Sequence, residues 1–255
     1  MASLSRLPIP YESDENFVHI ISGLLSDTEC DAIIQKHSAD MVPHNLTLTR
    51  RLRSVFEDEE LSNTIWERLN PFYGNINITD EKGCRWLASG CNARFRFCRY
   101  EQDCGFEPHI DGRRLASIDS QSFMTVNIYL KSVPPEDGGS TRVLSPSALE
   151  DGTYPVLGQV HPVKGSAAVF RDSLFHDGEN LRRGVKYLLR TDIMFSREVP
   201  FDLDAACAGL ESKAKGTLAL EMAVRLEDGN NSAEAMQWYR KAYKLCPELE
   251  FAGTD

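Results

Sequence analysis

The chain has 255 residues, 42% hydrophobic and 26% charged, enough for one large domain, or a domain with an appendage, around a substantial core, and this excludes disorder as the dominant state. With 28 Lys and Arg against 38 Asp and Glu, the net charge of −10 disfavours a general binder of nucleic acid or anionic lipid. No apolar run approaches the roughly 20 residues that span a bilayer, and the N-terminus lacks the apolar block of a secretory signal. The seven cysteines are odd in number and scattered, without a CxxC pair, which fits reduced thiols in a cytoplasmic or nuclear protein better than a disulfide framework or a zinc cluster.

Taken in chain order, residues 24–40 predict a helix, with Ser26 as its cap and Cys30, Ile33 and Ile34 at helical spacing. Residues 58–70 repeat the pattern through Leu61, Ile65, Trp66 and Leu69 and should stop at Pro71. Between them, residues 47–56 alternate as a strand would, and Arg50, Arg51 and Arg53 read as a solvated face rather than a recognition patch. From about residue 92 short β-like runs follow one another, at Arg94–Tyr100, Phe123–Leu130, Thr141–Ser145, Ala167–Phe170 and Lys186–Phe195. That is the habit of a barrel or jelly roll. Beyond Pro200, Leu210–Glu227 and Ser232–Leu245 predict a helical hairpin resembling one tetratricopeptide unit. A single such unit cannot bury its own face; it docks on its own barrel or recruits a protein partner. The expected division is therefore 1–91, N-terminal helices and strands buttressing a barrel; 92–199, the β core; and 200–255, the hairpin.

The stretch from Arg99 to Gly112 carries the chemistry. His109 and Asp111 lie two apart at a strand end and can offer an imidazole nitrogen and a carboxylate oxygen to one point. His176, just before the last long β run, would complete a facial triad of the kind that suits non-haem Fe(II) with three positions open. Alone, the HxD pair is a weak signal. Lys186 and Arg190 strengthen it: with period 2 they share one face of a strand whose other face, Tyr187, Leu189 and Ile193, is apolar. Cations on such a strand need anionic partners. A dicarboxylate reaching a metal with its 2-oxo acid end would serve; so would local acids such as Glu179 and Asp192. Thr125, Asn127 and Tyr129 likewise share a face, as do Arg94, Arg96, Cys98 and Tyr100.

The order Tyr100, His109-x-Asp111, Tyr129, Gly138-Gly139, His176, Lys186 resembles the 2-oxoglutarate and Fe(II)-dependent oxygenases, in particular the prolyl 4-hydroxylase-like branch, over about residues 92–197. The resemblance implies an α+β fold with a double-stranded β-helix (jelly-roll, cupin-like) core, and His109, Asp111 and His176 as iron ligands. It implies Lys186 as the grip on the distal carboxylate of 2-oxoglutarate, with Tyr100 and Tyr129 as hydroxyl partners and Arg190 as a second candidate cation. Fe(II), 2-oxoglutarate and O₂ would be the cofactor and co-substrates, with ascorbate an accessory reductant. The reaction would be hydroxylation of a protein, most simply at proline, or of a small metabolite; a non-catalytic scaffold that binds metal or 2-oxo acid is a third reading. Residues 85–115 hold six basic side chains against four acidic ones, so Arg96, Arg114 and the polar Asn127 are candidates for contact with a carboxylate-bearing substrate. Loops 112–121 and 131–138 are the expected rim.

Overall fold

A computed structural model describes residues 2–10, 12–13, 16–46 and 49–250. In chain order, β1 (Ser3–Arg6) and β2 (Val18–Ser22) precede α1 (Asp27–His37), and β3 (Val42–Pro43) and β4 (Leu52–Glu57) lead to α2 (Glu59–Tyr73). Then follow β5 (Asn77–Thr79), β6 (Arg85–Cys91), β7 (Arg94–Tyr100), β8 (Phe106–His109), β9 (Leu115–Ser117), β10 (Ser120–Tyr129) and β11 (Thr141–Leu144). Strands β12 (Val156–Val160), β13 (Ala167–Arg171), β14 (His176–Gly178) and β15 (Lys186–Arg197) run to α3 (Leu203–Ala206), α4 (Ser212–Asp228) and α5 (Ser232–Leu245). The chain divides into two compact units, one of Met1–Gly74, Gly90–Gly112 and Phe123–Ile193, the other of Asn75–Ser89, Arg113–Ser122 and Met194–Asp255.

The first unit is built on two antiparallel sheets. The larger has the order β1-β2-β13-β10-β15-β7-β4-β3, the smaller β12-β11-β14-β8. Their inner faces share one core, in which Cys98, Tyr100, Tyr129, Val143, Val160, Ala168, Phe170 and Leu188 are all buried. Contacts cross the gap directly: the Phe170 ring on β13 meets that of His176 on β14 edge-on at 4.7 Å. This is the double-stranded β-helix that the alternating runs predict, because alternation gives each strand one face for the core and one for whatever covers it.

What covers the larger sheet is the helical pair. Phe95 and Phe97 point away from the shared core and are fully buried, and His37 of α1 stacks on Phe56 of β4 at 3.5 Å. Helix α1 starts at a capping box, Ser26 Oγ accepting from Glu29 N while Glu29 accepts from Ser26 N, and Arg68 of α2 then pairs with Glu29 at 2.7 Å. Two expectations need correction. Pro71 does not end α2; the helix runs to Tyr73, whose fully buried ring bonds His19 Nδ1 through its hydroxyl at 3.0 Å, an anchor that offsets the hydrogen bond proline cannot make. Strand β4 begins only at Leu52, after an isolated antiparallel bridge between Leu46 and Thr49; Thr47 and Leu48 lie outside the described residues.

In the second unit β5 and β6 form a hairpin with Asn77 opposite Leu87, and α4 and α5 form the expected helical one. Leu115 of β9, Leu226 of α4 and Ala235 of α5 make one buried cluster. Leu203, Cys207, Ala219 and Ala242 make another, and Trp238 packs on both.

Candidate active site

The two histidines meet because β14 pairs with β8 in a register that sets His176 opposite His109. Cross-strand neighbours share a face, and the two rings lie 4.4 Å apart. Asp111 follows two residues past the end of β8, with one carboxylate oxygen 3.6 Å from His109 Nε2 and the other 3.7 Å from His176 Nε2. One ligand atom from each lies within 4.8 Å of the other two.

Hydrogen bonds settle which nitrogens are available. His109 Nδ1 contacts the Glu107 carbonyl at 2.7 Å and His176 Nδ1 the Leu174 carbonyl at 2.9 Å. A carbonyl only accepts, so Nδ1 carries the proton in each ring and both Nε2 lone pairs face Asp111. Burial pushes the His176 pKa down to about 4, so the imidazole is neutral. Burial also opposes ionisation of Asp111, but the Arg190 guanidinium, helped by the Thr125 hydroxyl, outweighs it and holds that carboxyl well below the usual range. Two lone pairs and an ionised carboxylate converging on one point are a donor set for a divalent cation, and this mix of imidazole and carboxylate with an open side suits Fe(II). Arg190 donates to Asp111, and Thr125 Oγ1 donates to it at 2.7 Å.

Lys186 enters the same cavity from β15. It is 4% exposed, its Nζ donates to the Gly139 carbonyl at 2.6 Å, and it lies 5.4 and 5.8 Å from the ring centres of Tyr100 and Tyr129. Burial pushes its pKa down to about 8. Register puts Lys186 opposite Tyr100 and Arg190 opposite Arg96. The cavity holds about 350 Å³ and is lined by the triad together with Tyr100, Arg96, Asn127, Lys186 and Arg190.

Other expected residues fall elsewhere. Tyr129 stands one residue back: its hydroxyl donates to Thr141 Oγ1 at 2.8 Å, and Thr141 is the side chain that lines the cavity. Arg114 belongs to the second unit, where its backbone N–H donates to Ser122 Oγ, and the cavity is lined by first-unit residues. The cavity lining also includes His44, Leu46 and Ile110–Gly112, the last being the first residue of the expected 112–121 loop. Arg51 and Arg53, expected on a solvated face, line the cavity too; Arg51 donates to the Tyr100 hydroxyl at 2.8 Å. Their only signal in the sequence was the period-2 spacing, and only the pairing of β4 with β7 shows which side that face turns to.

Comparison with known proteins follows the same segment. Residues 95–191 match the family model of the 2OG-Fe(II) oxygenase superfamily. A search of curated proteins finds no match. Among solved structures, the viral collagen prolyl hydroxylase of Paramecium bursaria Chlorella virus-1, in complex with 2OG, is 21% identical, over 70% of this chain and 96% of its own, with a TM-score of 0.45. A Trichoplax adhaerens prolyl hydroxylase in complex with a hypoxia inducible factor peptide fragment is 15% identical, over 71% and 83%, with a TM-score of 0.47. HygX of Streptomyces hygroscopicus, with nickel, 2-oxoglutarate and hygromycin B bound, is 14% identical, over 72% and 84%, with a TM-score of 0.44. Residues 95–191, by the family model they match and the His109, Asp111 and His176 donor set they hold, carry a 2OG-Fe(II) oxygenase domain, a dioxygenase domain of the kind that uses ferrous iron and 2-oxoglutarate.

Proposed function

We propose that the protein hydroxylates a residue of a polypeptide, in the manner of a prolyl 4-hydroxylase, with His109, Asp111 and His176 as the iron ligands. Fe(II) and 2-oxoglutarate, when bound, supply the oxidation in which O₂, a substrate C–H group and 2-oxoglutarate become a C–OH group, succinate and CO₂. The chain's own share is positional. The two Nδ1–carbonyl bonds fix the imidazoles, and Arg190 and Thr125 hold Asp111 ionised and aimed. Lys186 is the seat for the distal carboxylate of 2-oxoglutarate, with the Tyr100 and Thr141 hydroxyls beside it and Tyr129 ordering Thr141.

The observation that carries the polypeptide reading is the mouth. Leu46 and Ile110 line the cavity yet are 59% and 58% exposed, so two apolar side chains face solvent beside a hole at the small end of the ligand range of about 300–1,000 Å³. Such a shape admits one side chain beside the co-substrate and leaves the flanking chain against those two. The test is succinate release from 2-oxoglutarate with Fe(II), with and without proline-containing peptides, and mass spectrometry of the peptide. Peptide-stimulated succinate and a gain of one oxygen atom at proline are expected. Turnover stimulated only by small molecules would make it a metabolite hydroxylase.

A further inference from the structure

The wall opposite the two histidines is cationic in a way the co-substrate does not use up. On one face of β4, β7 and β15, Tyr100 stands opposite Lys186, Cys98 lies between Arg53 and Leu188, and Arg96 lies between Val55 and Arg190. Arg51, two residues before Arg53, reaches Tyr100 from the same side. Arg51, Arg53, Arg96, Lys186 and Arg190 thus share one wall, and the carboxylates lining the cavity are Asp111 and Asp177. Arg190 takes Asp111, and Asp177 is paired with Arg142, whose Nε donates to it at 2.8 Å. With Arg190 on Asp111 and Lys186 the seat of the co-substrate's distal carboxylate, Arg51 and Arg53 are the two guanidinium groups of this wall for which the cavity supplies no acid.

Two of those cations have no acid. Arg51 rests on neutral groups, the Tyr100 hydroxyl and the Phe106 ring, 4.6 Å from its guanidinium carbon. The Arg53 side chain makes no hydrogen bond or ion pair among the described residues; after burial, the influences lowering its pKa are Arg51 and Arg94. Like charges on neighbouring strands destabilise a sheet, and an acidic protein of net charge −10 has carboxylates to spare for neutralising them. Their concentration here without partners calls for an anion from outside.

We infer that Arg51 and Arg53 recognise a carboxylate of the prime substrate, an Asp or Glu side chain close in sequence to the residue that is oxidised. This rests on the oxygenase reading above. The planar, multiply donating guanidinium suits carboxylates, and the exposed Leu46 and Ile110 favour a polypeptide source over a free acid.

The test uses the full chain loaded with Mn(II) and 2-oxoglutarate and two fluorescein-labelled peptides, one with glutamates flanking a single proline and one with glutamines in their place, titrated by anisotropy. The acidic peptide should bind at least tenfold more tightly. Arg51→Gln and Arg53→Gln should each erase most of that preference, whereas Arg85→Gln, the same charge change in the second unit, should keep it. Equal affinity for the two peptides, or a preference that survives Arg53→Gln, overturns the inference. So does an Arg53→Gln loss of 2-oxoglutarate affinity as large as its loss of acidic-peptide affinity, since that assigns the residue to the co-substrate. Binding of free L-glutamate instead of the peptide, abolished by Arg53→Gln, supports the carboxylate and replaces the polypeptide by a small molecule. Absence of 2-oxoglutarate turnover by the wild-type protein counts against the oxygenase reading alone, because the anisotropy measurement is independent of catalysis.

Discussion

Lys186 is a cation whose charge the fold makes expensive to keep. Burial pushes its pKa down to about 8, from the 10.5 ordinary for a lysine. Between those values the unfolded chain binds a proton that the folded chain has released, so this residue makes stability rise with pH across that window. Co-substrate binding runs the other way: above pH 8 a neutral amine loses its charge-assisted hold on a carboxylate. The KM for 2-oxoglutarate should therefore climb several-fold between pH 7 and pH 9. Lys186→Met should raise it at pH 7 by roughly 10–100-fold, the worth of a hydrogen bond to a charged group, and flatten the pH dependence. A KM profile unchanged by the substitution would remove Lys186 from the co-substrate site.

His176→Ala tests the metal from the other side. Because Arg190 and Thr125 already satisfy Asp111, losing one imidazole leaves no orphaned charge. Mn(II) binding by calorimetry should be lost while circular dichroism reports a folded protein, and near-normal metal affinity would contradict the ligand assignment. The three triad residues, picked out by the HxD spacing and the family resemblance together, are brought together by the fold. The partners of Asp111 were not legible in the sequence, since Thr125 and Arg190 arrive from separate strands.

At the scale of elements, local chemistry was read well wherever it is self-contained. Ser26 caps α1 through both bonds of its box, and Ser26→Ala should cost about 1 kcal/mol, seen as a lower urea midpoint with unchanged slope. The turn before β11 shows a harder constraint. Gly138 has φ of +77°, and a Cβ there would stand 2.5 Å from the Asn180 carbonyl oxygen. Gly138→Ala should cost roughly 1–3 kcal/mol. It should also weaken 2-oxoglutarate binding, because the adjoining Gly139 carbonyl seats Lys186; a stability loss with 2-oxoglutarate affinity intact would separate the turn from the site. Where sequence reading failed, at Arg51, Arg53 and the end of α2, the deciding partner is distant in the chain: β7 for the arginines and His19 for Tyr73. Period-2 spacing says that two residues share a face and cannot say what the face meets.

For the molecule as a whole, the open question in the sequence was what covers the apolar side of the C-terminal hairpin. Within the second unit the cover is the short segment around β9. Asn231, while capping α5, donates its side-chain amide to the Ala116 carbonyl at 2.8 Å, and Ile118 N–H donates to Glu234 at 3.1 Å. Leu226 is fully buried against Leu115 and Ala235, whereas Met236 on the outer side is 53% exposed. Such docking makes a sharp contrast between two substitutions. Leu226→Ala should destabilise the unit by about 2–5 kcal/mol and speed amide exchange in α4, α5 and β9 together, since the three share one cluster. Met236→Ser should stay within about 0.5 kcal/mol of the parent. If instead the hairpin held its shape mainly by binding a partner, the isolated protein would already exchange α4 and α5 amides quickly, and Leu226→Ala would leave β9 protection untouched.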